Sequence, residues 1–238
     1  MAFRLPGASD RTTLVGATGT GKTTCGAWLL AQQRLELRPW VVIDLKREEI
    51  FDFVGFPPIR MLAMDDKLPA KPGLYLIQPR ADEKEQLDKW LWRVWTRGNM
   101  GLFVDEATLM PKQGDGYVSI LQQGRAKLIP VIQCTQRPVD VARQVFSEAS
   151  FFGIYRITDK RDQRTVEGFV PGDMSRPMLP HHWLWHDVAR NHQIRFGPIP
   201  GKQAVAAQLR DRLPMQHDFH PFRWIGKPTT PTPRAEAP

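Results

Sequence analysis

Cysteine is scarce in this chain: 238 residues hold two, Cys25 and Cys134, far apart. Neither has a His or Cys partner at ligand spacing, so no zinc site is expected, and a reduced intracellular setting fits. Cys134 lies in an apolar run and reads as a small core residue, not a nucleophile. No apolar run is long enough to span a bilayer. Met1 to Arg11 carries charges and a proline and lacks an apolar centre, so it does not read as a secretory signal. No internal repeat is visible. His181, His182, His186 and His192 have no acidic partner at ligand spacing, which argues against a metal centre among them. An Asn-Lys-x-Asp guanine-reading motif is missing too, against a GTPase. Positive charge is what the chain has in excess. Thirty-three Lys and Arg stand against 25 Asp and Glu, a formal charge of +8. That balance favours a polyanionic partner, either nucleic acid or an acidic membrane surface. The length suits one α/β domain with a sizeable core.

The densest chemistry is at Gly16-Ala17-Thr18-Gly19-Thr20-Gly21-Lys22-Thr23, a complete phosphate-binding loop of the form G-x-x-x-x-G-K-[ST]. It follows an apolar run, Thr12 to Val15, that reads as a buried strand, and precedes Cys25 to Leu35, which reads as a helix. Glycines let the backbone fold around a polyphosphate so that N–H groups converge on its oxygens. The start of the helix adds partial positive charge. Lys22 can reach the β- and γ-phosphates, and the Thr23 hydroxyl can hold Mg²⁺. Gly16 through Thr24 are the candidate nucleotide-binding residues.

Further along, Trp40 to Asp44 is an apolar run ending at a carboxylate, as a buried parallel strand would. Lys46 to Phe53 reads as a short helix and Gly73 to Ile77 as a strand. Ala81 to Thr96 reads as a helix, with Leu87, Trp90, Leu91, Val94 and Trp95 on one face and Trp92 off that stripe. Gly101 to Val104 reads as a strand ending in Asp105-Glu106. After a full phosphate loop this pair is the second half of a hydrolysis site. Asp105 would bind Mg²⁺, and Glu106 would act as general base toward the attacking water. Pro111 to Gly116 reads as a loop, Val118 to Gln123 as a helix, and Leu128 to Cys134 as a strand leading into Thr135-Gln136-Arg137-Pro138. Gln136, with two donors and an acceptor, suits a γ-phosphate sensor. Arg125 is either a surface charge or an arginine finger for a neighbouring subunit.

Val139 to Ser147 reads as a helix and Phe151 to Ile157 as a strand. Asp159 to Arg164 reads as a solvated helix face. Trp183 to Val188 and Gln193 to Phe196 read as a hairpin. Lys202 to Leu213 reads as a basic amphipathic helix with Val205, Leu209 and Leu213 on one side. The proline-rich tail from Pro221 reads as an extended arm.

The phosphate loop, Val42-Ile43-Asp44-Leu45-Lys46, Val104-Asp105-Glu106, Gly124-Arg125 and Thr135-Gln136-Arg137-Pro138 occur in that order. The series resembles the FtsK/HerA superfamily of DNA-translocating ATPases, from about Thr12 to Pro138. A bare motor domain without a membrane span or preceding barrel looks most like the genome-packaging ATPases of tailless, internal-membrane double-stranded DNA viruses, the tectivirus type. The resemblance implies an α/β fold: a RecA-like core, residues 1–200, with a mostly parallel sheet flanked by helices, and a short C-terminal extension, residues 201–238. It implies ATP and Mg²⁺ as cofactors and a homo-oligomeric ring, a hexamer. Lys22 and Thr23 would bind phosphate and metal, Glu106 would be the base, Gln136 the sensor, and Arg125 the residue given in trans, with Arg137 the alternative. Double-stranded DNA would be the cargo, gripped by Lys112 or by Lys160, Arg161 and Arg164. Capsid-vertex or membrane-associated packaging proteins would be partners, in the virion and the host cytoplasm. A cellular, conjugative or phage-morphogenesis DNA pump and a non-motor vertex protein are the competing readings.

Overall fold

The computed structural model describes residues 3–47, 59–111 and 115–213. Among these, nine strands form one sheet. They are β1 Arg11–Val15, β2 Pro39–Ile43, β3 Ile59–Met61, β4 Gly73–Ile77, β5 Gly101–Val104, β6 Val131–Thr135, β7 Phe151–Ile154, β8 Trp183–Asp187 and β9 His192–Phe196. Their spatial order is β3-β4-β2-β5-β6-β1-β7-β8-β9. β3 through β7 in this order pair in parallel, and β8 and β9 add an antiparallel hairpin beside β7. The helices are α1 Lys22–Ala31, α2 Lys84–Arg97, α3 Gly116–Gln123, α4 Gln144–Ser147, α5 Lys160–Glu167 and α6 Lys202–Arg212.

The central strands are apolar on both faces because helices cover both faces. Alternation along each strand sorts the side chains. Val41, Ile43, Leu102, Val104 and Val131 face one cluster, which holds Leu87, Trp90, Leu91 and Val94 of α2 and Tyr117, Ile120 and Leu121 of α3. Trp40, Val42, Phe103, Ile132 and Cys134 face the other, with Leu29 and Leu30 of α1 and Val205 and Leu209 of α6. The basic C-terminal helix therefore closes the second layer beside α1. Trp90 is buried within the stripe, Trp92 is exposed, and the half-buried Trp95 ring lies beneath the Lys127 ammonium, 4.1 Å from its centroid.

Several elements differ from the sequence expectation. α1 begins at Lys22, three residues before Cys25, because the glycine loop leads straight into helix. β6 starts at Val131, not Leu128: Leu128 has φ +55° and Pro130 has no amide hydrogen to donate. The expected helix from Val139 to Ser147 is a 3-10 turn at Pro138–Asp140 followed by the short α4. β7 stops at Ile154, before Ile157. β3 has no counterpart in the sequence reading, being three residues long and mostly exposed. The charge run on α5 is not wholly solvated, since Asp162 is buried and accepts from Val139 N at 3.0 Å. Most of the expected helix Lys46 to Phe53, the residue Lys112 and the proline-rich tail lie outside the described residues.

Candidate nucleotide-hydrolysis site

Parallel strands bring their carboxyl ends to one edge, and at that edge the motif residues meet. β1 runs into the phosphate loop. Gly21 has φ +101°, a conformation an L side chain rarely adopts, and caps α1 at its N-terminus. A Cβ on Gly16 would stand 2.5 Å from Tyr155 Cβ, so the loop passes over β7 only because that residue is glycine. Cys25 N donates to Gly21 O at 2.9 Å, the first intrahelical bond. The amides of Lys22, Thr23 and Thr24, one turn earlier, are therefore aimed out of the helix, where an anion is favoured. Two strand ends brace the loop: Gly16 N donates to Thr135 O at 3.4 Å and Ala17 N to Arg156 O at 2.9 Å.

Lys22 is buried, and its ammonium donates to Ala17 O at 2.8 Å, within the loop. Burial pushes its pKa below the ordinary lysine value, opposed by nearby Glu106 and Asp105. Thr20 hydroxyl donates to the same carbonyl at 2.8 Å, and Thr20 O faces His181 Nδ1 at 3.2 Å. Beside the loop is a cavity of about 200 Å³ lined by Thr18, Gly19, Tyr155, Arg156, Leu179 and His181.

β5 ends next to β1's loop, with only β6 between the two strands. Asp105 and Glu106 are both buried. Thr23 hydroxyl donates to Asp105 Oδ1 at 2.8 Å. A hydroxyl and a carboxylate this close, both hard oxygen donors, are the set that suits Mg²⁺, which takes one or two protein oxygens and fills the rest with water and phosphate. Glu106 accepts from the Thr108 hydroxyl, from Thr108 N at 3.4 Å and from Gln136 N at 3.3 Å. Its other oxygen accepts from Lys46 Nζ at 2.6 Å. At the end of β6, Gln136 Oε1 accepts from the Thr18 hydroxyl at 2.8 Å, which ties this side chain to the phosphate loop.

Lys22, Thr23, Asp105, Glu106 and Gln136 thus come together in one chain. Arg125 does not join them. It is exposed, in the turn after α3 at the amino end of β6, near Arg11, whose guanidinium is pushed below its ordinary value by burial first and by the Arg125 charge to a lesser degree. β6 alone puts about 13 Å between the two sheet edges. Arg137, though adjacent to Gln136, belongs to a local cluster: its guanidinium pairs with Asp140, Asp159 and Asp162 at 3.6, 3.7 and 3.6 Å. Lys160, Arg161 and Arg164 are exposed on α5. Thr108, His181 and Lys46 are site residues for which the sequence reading gave no role. For Lys46 a signal existed: it sits two residues after the carboxylate that ends β2, a strand paired directly with β5.

No protein-family model matches the chain. It is 34% identical over 221 residues to the DNA packaging ATPase P9 of Enterobacteria phage PRD1, covering 88% of this chain and 96% of that protein. Among solved structures, the genome packaging NTPase B204 from Sulfolobus turreted icosahedral virus 2, in complex with ATP-γS, superposes with a TM-score of 0.63 at 18% identity, over 81% of this chain and 99% of that one. The pCW3 conjugation coupling protein TcpA, also with ATP-γS, superposes with a TM-score of 0.55 at 16% identity, over 85% of this chain and 64% of that one. These two likenesses establish the P-loop NTPase fold.

Proposed function

The chain belongs to the family of the PRD1 DNA packaging ATPase P9, and on that premise we propose that it is an ATP-driven translocase of double-stranded DNA that packages a viral genome. The observation that carries this reading is the joining of a complete phosphate loop to Asp105, Glu106 and Gln136 at one sheet edge. The loop amides, the α1 N-terminus and Lys22 hold the triphosphate. Thr23 and Asp105 would hold Mg²⁺, which would supply neutralisation of the triphosphate charge. Glu106 takes the proton of the attacking water. Gln136, linked to Thr18 on one side and through its amide to Glu106 on the other, reports the γ-phosphate to both.

Arg125 serves another copy of the chain, since it stands at the far edge from its own site. That requires a ring in which the amino edge of one subunit faces the carboxyl edge of the next, and a hexamer fits this arrangement. Arg137 is committed to its own chain's carboxylates and is not the finger. The basic side chains Lys160, Arg161 and Arg164, or Lys112, grip DNA phosphates with little sequence preference. The protein works at the packaging vertex of the virion and in the host cytoplasm, with capsid-vertex or membrane-associated packaging proteins as partners.

The test is phosphate release with and without duplex DNA. Stimulation by DNA, lost in Lys22→Ala, is expected. Turnover indifferent to DNA would favour a vertex protein that binds ATP for assembly only. The fold shared with the conjugation coupling protein supports a second reading, a conjugative or morphogenesis pump. Packaging of DNA into purified procapsids separates the two.

A further inference from the structure

Glu106 is held at both oxygens, but unequally. Oε1 accepts from the Thr108 hydroxyl, Thr108 N and Gln136 N. Oε2 accepts from Lys46 Nζ, at 2.6 Å. A carboxylate has about four lone-pair sites, two on each oxygen. Among the described residues, Oε1 therefore has its full set of donors and Oε2 keeps one lone pair. The oxygen able to take a proton from water is Oε2, and the group that sets its direction is Lys46.

We propose that Lys46 is a positioning residue for the catalytic base. Its ammonium pins Oε2 so that the remaining lone pair faces the attacking water. The inference rests on the ATPase reading of the site. In the step it serves, a water O–H bond breaks and the proton passes to Glu106 Oε2. The water oxygen bonds to the γ-phosphorus. The bond from that phosphorus to the β,γ-bridging oxygen breaks, and its electron pair leaves with ADP. Lys46 acts through Glu106 alone and is assigned no bond to the water or the nucleotide.

Three features make Lys46 suited to this. The Glu106 side chain is 4% exposed and Lys46 26%, so the carboxylate is the deeper partner and the ammonium its counter-charge. β2 and β5 are paired in register, Ile43 against Val104, and Asp105 N donates to Ile43 O at 3.2 Å, which fixes the two chain ends side by side. Arg47 has φ +60°, so the chain turns immediately after Lys46. Lys22 has a different acceptor, Ala17 O, and the two lysines are not interchangeable.

The experiment compares wild type, Lys46→Met, Lys46→Arg, Glu106→Gln and the Lys46→Met/Glu106→Gln pair in steady-state and single-turnover phosphate release. Lys46→Met is expected to lower kcat about thirty- to a hundredfold, at the lower end of general-base effects, with the KM for ATP within about twofold. Lys46→Arg is expected to recover part of that loss. In the Glu106→Gln background, Lys46→Met is expected to cost less than about twofold more, because its effect runs through the missing carboxylate. An equal loss in both backgrounds, or a raised KM with unchanged kcat, would overturn the proposal and make Lys46 a phosphate ligand. Lys46→Gln, which keeps a donor without the charge, replaces Lys46→Met if that variant does not fold, with the same outcomes. A wild-type chain that turns over no ATP overturns the ATPase reading and the proposal together. Normal turnover in both wild type and Lys46→Met overturns the proposal alone.

Discussion

The two edges of the sheet treat polar side chains differently. At the carboxyl edge, side chains from segments far apart in the chain bond one another: Thr23 with Asp105, Lys46 with Glu106, Thr18 with Gln136. At the amino edge, cations bond backbone carbonyls beside the carboxylates of Asp10 and Glu148. Arg11 Nε donates to Glu148 O at 3.1 Å, and Arg38 donates to Ala8 O and Leu128 O at 2.9 and 2.8 Å. The first pattern costs stability in desolvated charge and is worth keeping for chemistry. The second secures loops where strands begin. Arg125 belongs to the amino edge by position, yet it is exposed, which is why a role toward another subunit suits it.

The contrast breaks most visibly at Lys22. Lys22→Ala is expected to lower ATP turnover by at least about a hundredfold, the scale of losing one oxyanion-stabilising donor at a preorganised site, measured as phosphate release. Near-normal turnover would remove the carboxyl edge as the reactive one. The next test joins the edges. Glu106→Gln and Arg125→Ala are each expected to lose activity, Glu106→Gln by about a hundredfold or more. Mixed rings contain some interfaces with both groups intact and are expected to regain part of it. No recovery in rings shown to be mixed would leave Arg125 as a surface charge.

At the amino edge the expected effect is on stability. Arg11→Met is expected to lower unfolding free energy by roughly 1–3 kcal/mol, the scale of a buried charged hydrogen-bonding group lost from its partners, with turnover per folded molecule unchanged. Urea melts followed by phosphate release check this, and a fall in turnover at full folding would mean the edges are coupled.

The smallest effect concerns thiols beneath the loop. Burial pushes the Cys25 thiol up to about 12 and pushes Cys134 well above the ordinary thiol range. Alkylation needs thiolate, so native protein at pH 8 is expected to resist iodoacetamide until it unfolds. The sign for stability follows. An unfolded thiol loses its proton near pH 8.5 and the folded one much later, so the contribution is complete below pH 8.5 and declines as pH rises toward 12. Rapid native labelling would show the loop side open to solvent.

How the site could be seen in advance depended on what kind of contact each residue makes. The phosphate loop is contiguous, so its geometry is carried by local glycines and by a helix start that sequence spacing records. Asp105-Glu106 was visible because an apolar strand ends there. Lys46 was not assigned, because its partner is 60 positions away and the pairing of β2 with β5 is what joins them. The choice between Arg125 and Arg137 stayed open for the same reason. The three carboxylates that occupy Arg137 come from the turn after β6 and from the start of α5. Inside β6, the polar side chain of Gln133 is buried in an apolar strand, where Tyr117 and Thr13 satisfy it from neighbouring elements.

Order along the chain was enough to determine an α/β P-loop nucleotide site, since apolar strand runs, glycines and the carboxylate pair act through neighbours a few residues apart. Tertiary structure alone decided which oxygen of Glu106 is open, which arginine is already engaged and which sheet edge each cation occupies. Those outcomes depend on strand order, and strand order is settled by packing two helical layers onto one sheet, not by any short stretch of residues.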